Sequence, residues 1–181
     1  MFYGMRFVAF LRAINVGGRT VPMAELRDHF EALGLKDVAT FIASGNVLFT
    51  SRGAPLALAS RIEKGLRTAL DYDVPVFLRT DAELAAIAKY RPFTDAQLKD
   101  ARTFVVGFVA EPLTAAATRA LLALQSDDDT FHVNKREIYW MSRKGQSDST
   151  FSNVRLERTL KVRSTFRGMN TIVRLVAKHD F

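Results

Sequence analysis

The chain of 181 residues is 48% hydrophobic and 25% charged, a length for one domain or for two small halves sharing a core. It has no cysteine, which excludes disulfides, thiolate catalysis and cysteine-held zinc or iron–sulfur clusters. Net charge is +7, and its distribution is uneven: residues 1–130 carry 15 Lys+Arg against 15 Asp+Glu, whereas residues 131–181 carry 11 against 4.

The whole excess therefore falls in the C-terminal segment, which points to an anionic partner there. The three histidines, His29, His132 and His179, form no HxH or HExxH spacing, so no metal site and no cofactor is expected. Apolar runs such as Phe104–Ala110 are too short to span a bilayer. Arg6 and Arg12 interrupt the N-terminal apolar stretch, unlike a signal peptide. A cytoplasmic protein with no membrane partner is the expectation.

In chain order, Arg6–Ile14 is dense in β-branched and aromatic residues and reads as a strand. Asn15–Arg19, containing Gly17-Gly18, is a loop. Pro22 suits a first helical position, Met23, Leu26, Phe30 and Leu33 recur on one face, and Gly34 ends that helix. Val38–Ala43 and Val47–Thr50 read as a hairpin, with Gly45-Asn46 as a two-residue turn. Pro55–Leu70 is a helix with Ala59, Ile62, Leu66 and Ala69 inward, and Val74–Arg79 is a strand. Thr80 or Asp81 caps a short helix through Lys89, which Arg91–Asp95 breaks.

The order then repeats. Arg102–Ala110 is a strand, and Thr114–Leu124 is a helix with Leu113, Ala117, Leu121 and Leu124 inward. Phe131–Asn134 and Ile138–Met141 form a hairpin around Lys135-Arg136. Thr150–Leu160 is a helix capped by Ser149, Arg163–Phe166 a strand, and Met169–Lys178 a closing helix. Two βαββαβ units predict an α+β protein built as a tandem duplication of ferredoxin-like subdomains, 1–80 and 102–181, joined by a helical connector, 81–101. Phe7–Leu11 and Phe104–Val109 are apolar on both faces, so the second face of each sheet is expected to be covered as well. Packing of the two halves, one continuous sheet, or a homodimer would each achieve that.

In a βαββαβ unit the loop after the first strand and the hairpin after the second emerge at the same end. Asn15–Arg19 and Ser44–Asn46 should therefore be neighbours. Arg12, Asn15, Gly17, Gly18, Arg19, Ser44 and Asn46 make this end a candidate site for a small phosphate- or carboxylate-bearing ligand, in an enzyme or a sensor. The competing reading is turn chemistry, with Ser and Asn bonding their own backbone. A nucleophilic role for Ser44 lacks a base that the sequence places beside it. The second candidate is a polyanion site, nucleic acid included, formed by Arg143, Lys144, Arg155, Arg158, Lys161, Arg163 and Arg167. Its competing reading is a solvated helix face partly neutralised by Glu157. Val47–Thr50 does not match the aromatic run of an RNA-recognition motif; Arg136–Met141 brings Tyr139 and Trp140, of which at most one could stack bases on the open face, and core packing is the expected role of either.

Arg12-Ala-Ile-Asn-Val-Gly-Gly18, Val21-Pro-Met23, Glu25-Leu-Arg27 and Ser44-Gly-Asn46 together resemble one bacterial family, catalogued as domain of unknown function 1697. That family opens on L-R-G-I-N-V-G-G, here with Ala13 in place of the first glycine. Phe151-Ser-Asn153 and Leu156-Glu-Arg158 match its basic helix start near the end. Phe166–Leu175 departs from its R-N-W run. The resemblance implies paired ferredoxin-like subdomains and brings no substrate, cofactor or catalytic residue.

Overall fold

A computed structural model describes residues 4–149 and 151–181. The chain divides into two units, Met1–Leu84 with Phe181, and Ala85–Asp180. Each holds one four-stranded antiparallel sheet.

The first unit runs β1 (Met5–Leu11), α1 (Met23–Ala32), β2 (Lys36–Thr40), β3 (Asn46–Ser51), α2 (Pro55–Leu70) and β4 (Val76–Thr80), with strand order β2-β3-β1-β4. Along β1 side chains alternate between faces. Phe7, Ala9 and Leu11 join Val47, Phe49, Val76 and Leu78 in a core closed by Leu26 and Phe30 of α1 and Leu58, Ile62 and Leu66 of α2. Leu58 takes the inward place expected of Ala69, which is exposed, because the buried stripe follows the larger side chains. The second face of β1 is buried too, with Val8 and Phe10 inaccessible, as the unbroken apolar run requires.

The β2–β3 connection differs from its expectation. It spans five residues, Phe41–Gly45, and Asn46 belongs to β3, opposite Phe10. A two-residue turn is ruled out because the buried Asn46 side chain donates back to the Phe41 carbonyl at 2.9 Å and to Ser44 Oγ at 2.9 Å, while Phe41 N–H donates to Asn46 O. Gly45 adopts φ 72°, and a Cβ there would lie 3.1 Å from Leu11 Cβ, so glycine suits the position twice over.

After α3 (Asp81–Lys89), capped by the Thr80 hydroxyl accepting from Glu83 N–H, comes α4 (Asp95–Lys99) with a Thr94–Gln97 capping box. Then follow β5 (Thr103–Phe108), α5 (Ala115–Leu122), β6 (Asp129–Asn134), β7 (Glu137–Ser142), α6 (Asn153–Leu160), β8 (Thr165–Gly168) and α7 (Met169–His179), with strand order β6-β7-β5-β8. Here the two-residue turn is as expected: Asn134 pairs with Glu137 around Lys135-Arg136. The expected helix start at Thr150 lies outside the described residues; α6 begins at Asn153, capped by Ser152 rather than Ser149.

One face of this sheet packs Val105, Ile138, Trp140 and Phe131 against Leu121, Leu156 and Leu160 of α5 and α6. Gly107 leaves room for the Phe166 ring, which lies where a Cβ would stand. The other face is covered within the unit. The Tyr90 ring lies 5.2 Å from that of Tyr139, the Phe93 ring 5.6 Å from that of Phe104, and α7 packs on β5 and β8. Among the described residues no helix is long and apolar enough to cross a membrane.

Candidate functional site

The strand order brings the two loops of the first unit together, as the topology demands. Asn15 Nδ2 donates to the Ala43 carbonyl at 3.1 Å, and Leu11 N–H donates to Gly45 O at 2.8 Å. Asn15 Oδ1 accepts from Val21 N–H at 2.6 Å, just before α1. Ile14 and Val21 are buried and pin both ends of the loop, while Val16–Thr20 are exposed. Ala13 and Asn15, like Gly17 and Gly18, sit at positive φ, the close-turning backbone that the loop requires.

Asn15 thus holds the two loops to each other, while Ser44 and Asn46 bond within the second of them. This is the turn chemistry that competed with the ligand reading. The open part of this end is Gly17-Gly18, where a Cβ would meet nothing within 4 Å, together with Arg19, whose guanidinium lies 4.2 Å from the Tyr72 ring centroid. Arg12 is half-buried, and its backbone N–H donates to the Pro75 carbonyl at 3.0 Å.

The basic residues of the second unit separate into three environments. Arg143, Arg155, Arg158, Lys161 and Arg163 are exposed. Arg155 and Arg158 stand three apart on α6, Lys161 is its C-cap, and Arg163 follows two residues later. The one carboxylate of α6, Glu157, turns to the chain: its Oε1 accepts from Ser164 N–H at 2.6 Å, while Asn153 bonds the Ser164 hydroxyl and carbonyl. Leu156 and Leu160 face the core, so the charges lie on the outer surface of a helix anchored by its apolar side.

Lys144 is tied down differently. Its Nζ lies 2.7 Å from Asp128 Oδ2, and that hydrogen bond, with the attraction of the same carboxylate, raises the Lys144 pKa above its ordinary value. Arg167 does not belong to the surface. It is 9% exposed on β8 and donates to Thr165 Oγ1 and to the Phe166 carbonyl, both at 2.9 Å. Burial alone lowers its pKa from the usual arginine range to about 10. β alternation explains the misplacement: Arg167 points to the second sheet face, opposite Val106.

Two features escaped the sequence reading. The buried Asp129 carboxylate accepts from Trp140 Nε1 at 2.8 Å and from Ser149 Oγ at 3.0 Å, fastening the loop that leads from β7 to α6. In sequence it was one of three consecutive aspartates. Arg79 of β4 lies opposite Val8 as Arg167 lies opposite Val106, and each donates Nη1 to the carbonyl of its preceding residue, at 2.8 and 2.9 Å. Aligning Leu78-Arg79-Thr80 with Phe166-Arg167-Gly168 would have shown the correspondence.

A search of curated proteins finds no match. Among solved structures the chain is similar to one titled "The structure of conserved bacterial protein SP0830 from Streptococcus pneumoniae". The TM-score is 0.71 at 24% identity, covering 96% of this chain and 99% of that one, a likeness of fold. The family model described as "Protein of unknown function (DUF1697)" matches residues 5–139. With three quarters of the chain inside that model, including the paired loops at Asn15 and Ser44, this protein belongs to the DUF1697 family.

Proposed function

We propose that this protein binds a polyanion through the outer surface of α6, with nucleic acid as the foremost class of partner. The observation that carries the reading is the grouping of Arg155, Arg158, Lys161 and Arg163 on one exposed stretch. Arg143 extends the positive field along the loop that enters the helix. The test is a titration of labelled nucleic acid across a salt series. The wild type is expected to bind with a clear negative log-salt slope. A variant with Arg155, Arg158 and Lys161 changed to Gln is expected to lose most of that slope. Equal binding by the two proteins would overturn the reading.

A second reading assigns a small anionic ligand to the open Gly17-Gly18-Arg19 segment with Arg12. It is favoured by the free space over both glycines and predicts a ligand-raised melting temperature that Arg19→Ala removes. For the architecture, the repeated element order, the equivalent strand order and the matching pair Arg79 and Arg167 support a duplication of ferredoxin-like subdomains.

A further inference from the structure

We infer that the first unit carries a second kind of site, a cavity at the start of β1 that takes a small aliphatic ligand by its primary ammonium group, with Asp37 as the anchoring carboxylate. The inference shares no residue with the polyanion surface or with the Gly17-Gly18-Arg19 segment and stands apart from both.

A cavity of about 450 Å³ is lined by Gly4, Met5, Arg6, Asp37, Thr50 and Asp81, all within the first unit. The sheet itself builds it. Arg6 lies opposite Thr50 and Thr50 opposite Lys36, so β1, β2 and β3 meet there, and Asp81 follows the end of β4. This is the end of the sheet opposite to the paired loops at Asn15 and Ser44. Its size falls in the range of small-molecule sites, roughly 300–1,000 Å³.

Asp37 reaches the cavity wall through an irregularity. The pairing of β2 with β3 shifts register between Lys36 and Ala39, and Asp37 sits inside that shift at φ 53°. β2 is an edge strand, and irregularities on edge strands re-aim side chains out of the alternating pattern.

The charges of the lining then sort themselves. Arg6 Nε lies 2.9 Å from Asp81 Oδ2, and Arg6 Cζ stands 4.7 Å from the Phe181 ring centroid. The other Asp81 oxygen accepts from Ala82 N–H at 2.8 Å. Arg6 and Asp81 therefore offset each other, whereas Asp37 is exposed and its carboxylate has no hydrogen bond or ion pair among the described residues. One guanidinium against two carboxylates leaves the lining with a net negative charge, in a chain whose total is +7. An ammonium group supplies both the charge and the N–H donors that Asp37 accepts. Met5, 52% exposed, offers an apolar wall for an aliphatic body. None of the six lining residues is aromatic, so the ring faces that hold quaternary ammonium groups are missing from the cavity. Among the described residues no group of three or more His, Asp or Glu side chains is placed to hold a metal ion.

The experiment is an amide NMR titration of the full chain with n-butylammonium chloride at constant ionic strength, beside n-butanol, butyrate, tetramethylammonium and Mg²⁺. Saturable shifts are expected at Gly4, Arg6, Thr50 and Asp81 with n-butylammonium alone. Asp37→Asn keeps a residue type that tolerates positive φ and should weaken binding about fivefold, the loss of one exposed ion pair. Asp71→Asn, at another exposed aspartate of positive φ outside the cavity, should leave binding unchanged. The inference is overturned by no saturable shift, by shifts spread over the surface, or by Asp37→Asn binding as tightly as wild type. Equal binding of n-butanol or tetramethylammonium would overturn it as well, and the same shifts produced by Mg²⁺ would reassign the cavity to a metal ion and so end the ammonium reading.

Discussion

Between the second and third strands, the first unit places five residues, Phe41–Gly45, where the second places two, Lys135 and Arg136. Between the first strand and the first helix it places eleven, 12–22, against six, 109–114. Yet the strand orders correspond, and a buried arginine occupies the same register in both sheets. Charge differs as well. The unit Met1–Leu84 holds ten Lys+Arg against nine Asp+Glu, and Ala85–Asp180 holds sixteen against ten. The comparison teaches that ladder pairing and two-faced apolar strands specify the frame, while the connections and outer helix surfaces are free to diverge. The first unit diverges by lengthening its loops and bonding them together, the second by adding positive charge.

The sharpest contrast is between a packed and a latched element. Trp140→Ala should cost about 3–5 kcal/mol, because it empties the aromatic core of the second unit and leaves Asp129 without its ring N–H donor. Asn46→Ala should cost less, about 1–3 kcal/mol, through the lost bonds to Phe41 and Ser44. Urea titration of both variants measures the difference. An Asn46 variant as unstable as the Trp140 variant would mean that the loop latch, and not the apolar core, governs the fold.

The two turns offer a finer test. Gly45→Ala combines a positive φ with a crowded Cβ and should lose about 1–3 kcal/mol. Lys135→Gly, at φ 53° in the shorter turn, relieves backbone strain at the expense of a more flexible unfolded chain, and its melting temperature should stay within a few degrees of wild type, roughly 1 kcal/mol. Equal losses at both positions would remove the distinction drawn between a latched loop and an open turn.

The smallest expected effect concerns Arg167. With its native pKa lowered to about 10, the folded chain releases that proton before the unfolded chain does. Above about pH 10 the unfolded state therefore binds more protons, and stability rises with pH relative to Arg167→Met; below it the difference between the two proteins is flat. Urea midpoints for both from about pH 8 to about pH 11 check the sign. A difference that changes in the opposite direction would show that burial does not dominate at this site.

Most elements were legible in the chain because their signals are local. Pro55 opens α2, Gly34 follows α1, Thr114 caps α5, and Lys135-Arg136 closes its hairpin, each through the geometry of a few neighbouring residues. The proximity of Asn15 to Ala43 was also legible, since topology alone brings those loops together. The Phe41–Gly45 loop was misread because Gly45-Asn46 satisfies a short-turn pattern equally well; the Asn46 bonds that select the longer loop exist only once β3 pairs with β1.

Composition and spacing thus determined the class of fold, the element order, the two-faced burial of β1 and β5, and the location of the excess charge. Tertiary structure decided what those charges face. Arg167 turns inward because β alternation and register put it opposite Val106, Lys144 is held by Asp128, and Glu157 bonds Ser164. A formal charge is a property of a residue, but the field it projects depends on burial and on partners far away in the chain, and only the folded packing supplies both.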